Sequence, residues 1–367
     1  MKKIFLAIVA IATLASCAKS NVDYDTNHKV LGIKAVTANR TKAMVTGTEF
    51  PAENFMVWAY YKQLDAGTSI ADWQAATAFD QQTYIDQKPF APKTGENEGL
   101  WGGYKTTYFW PKAGSLMFVG YYPTTVENVS YSFTASENKM TVAEFTPGDY
   151  SKTGFVNTAE NSTCVEDFMY FNMTATSSDA TTAGPLNSVT DGCHIDVVFK
   201  HALSWLSVVL KKDSATPAGA TITVKKVYFT KVNTTATGTV NNSPDKSKGE
   251  SNVISWATTE AETDVYVLGS ATTANTEALT EDYTCKQPVI IPQTMDGNIV
   301  VTYEIKSADG SAFTETVTLP LSDLTEDVNS WDPAKKYTYN VTIGTSEILI
   351  DPSVDEWDAV NASIDKK

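Results

Sequence analysis

The sequence predicts an all-β protein of antiparallel β-sandwiches, arranged as two tandem domains. Three observations carry this. Short runs of alternating apolar and polar residues recur along most of the chain, and turn-rich stretches separate them. The composition suits a pleated, half-buried surface: aromatic residues reach 11%, charged residues only 19%, and Thr and Asn are abundant. Regular strands without alternating long helices favour sandwiches over a parallel α/β sheet.

The chain opens with "MKKIFLAIVAIATLASC". A basic start, an apolar run over 4–15 and small residues ahead of a cysteine make residues 1–17 a secretory signal. Its apolar run is too short for the roughly 20 residues of a membrane-spanning helix. "LASC" at 14–17 fits a bacterial lipobox, in which the Cys17 thiol takes the diacylglyceryl group. The expected product is an acylated, palmitate-bearing lipoprotein held to the membrane only through Cys17.

Residues 18–40 end at Arg40, the only arginine among 28 basic side chains. Within this stretch "KVLGIKAVTAN" (29–39) reads as a strand, with Leu31, Ile33 and Ala35 on one face.

The first domain, 41–190, contains "NFMVWAYY" (54–61), "SLMFVGYYP" (115–123), "MTVAEF" (140–145) and "FMYFNM" (168–173) as strands. "SIADWQAATAFDQQTYID" (69–86) is its one expected helix. About 325 residues of β-structure exceed one sandwich core, and the Thr/Ser/Gly/Pro-rich segment at 176–190 is the expected break. The second domain, 191–343, opens with "HIDVVFKHALSWLSVVLKK" (194–212), apolar on both faces, whose "VVF" and "SVV" favour strand over helix. "TITVKKVYF", "DVYVLG", "PVIIPQ", "NIVVTYEI" and "KYTYNVTI" follow as strands. In the tail, 344–367, "EILIDPSVDEW" places Ile348, Ile350, Pro352 and Val354 on one face. That segment suits either an edge strand on its own domain or a strand donated to another molecule.

A net charge of -15 and a pI near 4.7 argue against a nucleic-acid partner and against adhesion to anionic lipid by charge. After Cys17 three cysteines remain, an odd number that gives no disulfide framework. Cys164 and Cys193 form one conceivable pair, and buried free thiols are the expected state. Of the three histidines, His201 is accompanied by no Ser or Cys elbow and no acidic orienter and reads as a hydrogen-bonded strand residue. Cys193 and His194 are adjacent without a second pair at metal spacing. No enzyme, cofactor or metal site is expected. A monomeric surface lipoprotein that binds glycans is the competing function, motivated by 8 Trp and 17 Tyr. Their places inside alternating runs favour core and cross-strand pairs over a sugar platform.

The lipobox, the lone arginine in "NRTKAMVTGTEFP", then "FMVWAYY", "YFWPKAGSLMFVGYYP", "VVFKHALSWLSVVL", "VIIPQ" and "KYTYNVTIG" together resemble the fimbrillin family of Bacteroidales-type bacteria. The resemblance implies two transthyretin-like sandwiches and a lipoprotein precursor at the outer membrane that becomes part of an adhesive surface fimbria. It also implies cleavage by an arginine-specific protease between Arg40 and Thr41, which removes the leading strand with Leu31, Ile33 and Ala35. The replacement strand would come from another copy or a related subunit, with Ile348, Ile350 and Val354 as its anchors. Host or bacterial surface receptors complete the implied partners.

Overall fold

The fold was read from a computed structural model. It describes residues 30–37, 50–62, 82–95, 98–111, 115–133, 138–148, 167–176, 187–189, 192–241, 253–259, 262–324, 329–345 and 348–356. The first strands are β1 (Val30–Thr37), β2 (Phe55–Lys62), β3 (Gln82–Pro92), β4 (Trp101–Gly103), β5 (Ser115–Tyr122), β6 (Val129–Phe133), β7 (Asn138–Phe145), β8 (Met169–Thr176), β9 (Asn187–Val189) and β10 (Gly192–His201). Then come β11 (Ser204–Lys212), β12 (Thr221–Asn233), β13 (Ala236–Asn241), β14 (Ser255–Thr258), β15 (Glu262–Leu268), β16 (Tyr283–Thr284), β17 (Val289–Ile290) and β18 (Gln293–Thr294). The last are β19 (Asn298–Lys306), β20 (Ala312–Pro320), β21 (Ser330–Trp331), β22 (Lys335–Ile343) and β23 (Ile348–Glu356). Among the described residues there is no α-helix; a 3-10 turn spans Leu321–Asp323, and Gly95 also has 3-10 geometry.

The first half is a ring. Strands β1, β4, β3, β2, β5, β8 and β10 pair in that order, and β1 pairs β10 to close the circle. Its interior is filled by inward side chains at alternate positions, including Ile33, Phe55, Val57, Phe118, Phe171 and Phe199. Gly120 interrupts that row on β5 because a Cβ there would sit 2.3 Å from the Phe171 ring and 2.6 Å from the Met56 carbonyl.

The outward side chains of β2, β5 and β8 are buried too. Trp58, Tyr60, Val119, Tyr121 and Tyr170 pack under a second sheet, ordered β14-β13-β7-β6. The second half is a two-layer sandwich. One sheet runs β16-β11-β22-β23 and the other β15-β12-β19-β20, with Leu206, Val208, Phe229, Val301, Tyr339 and Val341 among the core between them.

Four expectations need correction. The sheets are not antiparallel throughout: β1 runs parallel to β10, and β11 parallel to β22. Each of these pairs joins strands far apart in sequence, so no tight turn dictates the direction. The helix expected at 69–86 fails at its end, where residues 82–86 open β3 and pair with β2. Ile85 there is buried in the ring, so tertiary pairing overrides local propensity. The remainder of that stretch through 81 lies outside the described residues.

The sheets also do not divide at 190. β10 belongs to the ring, Ala202 and Leu203 pack in the layer under the covering sheet, and the chain enters the second sandwich on β11 at Leu206. The β13–β14 hairpin then returns to the first half to pair with β7. Finally, "HIDVVFKHALSWLSVVLKK" is strand as expected, but two strands, β10 and β11, that serve different sheets. Its two apolar faces are explained by that double duty.

Candidate functional site: the slot of the leading strand

Strand β1 is where the sequence reading and the fold meet. Its inward residues are sealed: Leu31 is 1% exposed, Ile33 0% and Ala35 3%. It is held unequally at its two edges. Eight consecutive positions, Val30 to Thr37, are in register with Gly192 to Phe199 of β10. On the other edge the ladder to β4 has one pair, Ile33 with Trp101. The Leu31 N–H donates to the Tyr108 carbonyl at 2.9 Å, and Val30 bridges Phe109. The strand thus closes the ring chiefly through β10.

The ring's end beside β1 is stoppered by residues that follow Arg40 in sequence. Phe50 stacks on Phe199 with centroids 4.2 Å apart and meets Trp101 edge-on at 5.6 Å. The Trp101 Nε1–H donates to the Glu53 carbonyl, and the Tyr122 hydroxyl donates to the Glu53 carboxylate, both at 2.8 Å. Phe50 and Glu53 therefore fasten the chain just before β2 without help from β1. Sequence reasoning missed this latch because Phe50 lies outside any alternating run. Its only signal was a large aromatic beside Pro51.

The tail forms an edge strand on its own half. β23 pairs antiparallel with β22 over nine positions, from Ile343 with Ile348 to Lys335 with Glu356. The alternation is as read from sequence, but burial fades along it. Ile350 is 9% exposed and Val354 37%, while Leu349, facing away, is 63% exposed. The tail's apolar face is only partly used where it lies.

Cys17, Arg40, Thr41, His28 and Cys164 lie outside the described residues, and the side chain of Cys193 does too. Arg40 falls three residues after Thr37 in sequence. Cys285 is a free, buried thiol just after β16, and burial pushes its pKa up to about 12. His201 has an acidic partner that sequence spacing hid: Asp167, from the segment before β8, lies 2.9 Å from Nδ1. The pair is 3% and 5% exposed, which closes it to any substrate and makes it an internal tie between β10 and β8. Among the described residues no group of three or more His, Cys, Asp or Glu side chains converges as a metal site would require. Trp58, Tyr60 and Tyr121 lie beneath the covering sheet, so they are unavailable as a sugar platform.

These features define the class: an all-β protein whose first half is a ring completed by a leading strand that precedes a lone arginine. The chain belongs to the fimbrillin-like family, whose model matches residues 58–357. A second model, the prokaryotic membrane lipoprotein lipid attachment site, matches residues 1–18. No curated protein is similar enough in sequence to count as a relative. A fimbrial protein from Bacteroides vulgatus shares the fold at 15% identity, with a TM-score of 0.54, covering 89% of this chain and 99% of its own. The fimbrial anchor protein Mfa2 from Porphyromonas gingivalis aligns over 90% of this chain and 98% of its own, at 9% identity and a TM-score of 0.31.

Proposed function

We propose that this chain is a structural subunit of an adhesive cell-surface fimbria. In this reading it travels to the outer membrane as a lipoprotein on Cys17 after loss of residues 1–16. An arginine-specific protease then cuts between Arg40 and Thr41, and residues 17–40 leave with β1. The vacated slot is refilled by residues 348–354 of a neighbouring copy or a related subunit. The two halves of the chain correspond in this reading to the family's two transthyretin-like sandwiches, and the mature surface offers receptors an acidic protein without nucleic-acid or cofactor chemistry.

The observation that supports this best is the contrast between the two strands. Leu31, Ile33 and Ala35 are sealed in the slot, whereas the matching face of the tail is only half used on its own half. Each aliphatic side chain that goes from exposed to fully buried contributes about 1.5–3 kcal/mol. Three or four of them give a gross gain of about 5–10 kcal/mol before the costs of association. Loss of β1 would also free the β10 edge along its eight paired positions, a template for strand addition. Donation of a tail to the slot of the next molecule is head-to-tail, so the product is an open filament.

The test is digestion of the purified, lipid-free precursor with an arginine-specific protease, followed by N-terminal sequencing and negative-stain microscopy. A new terminus at Thr41 with filaments supports the reading. A cut chain that stays monomeric overturns it and favours a monomeric glycan-binding lipoprotein.

A further inference from the structure

A cavity of about 450 Å³ opens beside the end of β1. Lys34, Ala35, Phe50, Pro92, Lys93 and Trp101 line it, and Glu98 supplies the one carboxylate among its described lining residues. Two cations thus share one recess. Lys34 is carried by β1 itself and is exposed, on the face opposite Ile33. Lys93 belongs to the fixed part of the ring: its backbone N–H donates to the Leu100 carbonyl at 2.8 Å. Its side chain lies across Gly102, where a Cβ would stand 2.2 Å from the Lys93 Cε. Among the described residues neither lysine is in an ion pair. Lys93 is half-buried, and its desolvation lowers its pKa. The uncut chain therefore places a second positive charge where the fixed one would be better served by a carboxylate.

The tail can supply one. Seated in the slot in the direction of β1, with Ile350 in the place of Ile33, it puts Ile348 at Leu31 and Pro352 at Ala35. Asp351 then falls where Lys34 was. A slip of two residues one way keeps an apolar face inward, with Ile350, Pro352 and Val354 at the places of Leu31, Ile33 and Ala35, but presents Ser353 at that position, whereas the opposite slip brings the polar Ser346 to the place of Leu31. We propose that Lys93 is the register-determining residue of the slot: it pairs with Asp351 of a second copy and so selects between the two seatings that keep an apolar face inward. The inference rests on the strand-exchange reading above and adds to it which register forms and why. Cleavage exchanges a like-charge neighbour for an opposite one, which disfavours return of the released β1 and favours the donated tail.

The experiment uses filaments grown from a mixture of isotopically heavy and light full-length precursors after cleavage. A zero-length carbodiimide, which joins an amine to a carboxylate only in direct contact, is followed by peptide mass spectrometry. The expected product is a Lys93–Asp351 amide linking heavy and light copies. Lys93→Glu should slow assembly about three- to ten-fold, Lys93→Gln less, and Lys93→Glu paired with Asp351→Lys should restore it. Equal assembly by all of these variants, or mixed-isotope links from Lys93 only to residues other than Asp351, overturns the register proposal and leaves strand exchange standing. Failure of the wild-type cut chain to assemble at all overturns both.

Discussion

Replacement of Ile33 by alanine separates the two lives of the leading strand. In the uncut chain Ile33 is fully buried, with Ile195 in register on β10 and Trp101 in register on β4. Alanine removes three buried carbons and leaves a cavity in a ring wall that cannot collapse readily, because β1 is held in register with β10 at eight positions. The expected cost is about 2–5 kcal/mol, a large share of the roughly 5–15 kcal/mol that holds a typical fold. Urea unfolding of the lipid-free precursor, followed by tryptophan fluorescence, should show the midpoint lowered by about 1 M. Filaments grown from the same variant should be indistinguishable from wild type, since residue 33 leaves with β1. An unshifted midpoint in the precursor would refute the claim that β1 completes the ring. An equal loss of stability in the filaments would refute its departure.

Other consequences follow from the fold. Trp256 packs on Phe145 at 5.5 Å and donates from Nε1 to the Ala202 carbonyl at 2.8 Å, so it pins the returning hairpin to the corner between the two cores. Trp256→Ala should cost about 3–5 kcal/mol and split one unfolding transition into two by calorimetry. Cys285 should stay unmodified by iodoacetamide at mildly alkaline pH until denaturant is added, read by peptide mass spectrometry, because burial keeps it protonated. Tyr60 and Tyr170 are pushed by burial up to about 12 from the ordinary 10.0. Above that ordinary value the unfolded chain releases phenolic protons that the folded chain retains. Stability is therefore full below pH 10 and lost as pH climbs toward 12, and phenolate absorbance should rise together with unfolding.

Much of this was legible in the residues. Period-two alternation gave the strands and their inward faces, including Leu31, Ile33 and Ala35, because strand geometry is local. The small residues before Cys17 gave the export signal for the same reason. What alternation does not encode is partnership. Nothing in "VLGIKAVT" names β10 as its neighbour or sets the direction as parallel, since that choice is made by ring closure across the length of the first half. The "GTV" of β13 carries no sign that it will cross back to β7, and the domain border expected at 190 fell short of the point where the chain changes core for that reason. Asp167 and His201 are 34 residues apart and meet only through the short ladder between β8 and β10. The same limit explains the helix expected at 69–86: "QTYID" has helical company in sequence but strand company in space.

The central claim is that the slot of β1 ends up occupied by the tail of another molecule, and a photo-crosslinking side chain in place of Ile350 tests it most directly. In filaments of mixed heavy and light copies, the account predicts mixed-isotope links from position 350 to β10 residues between Gly192 and His201. Links confined to β22 of the same copy, as the uncut chain already pairs them, would contradict it.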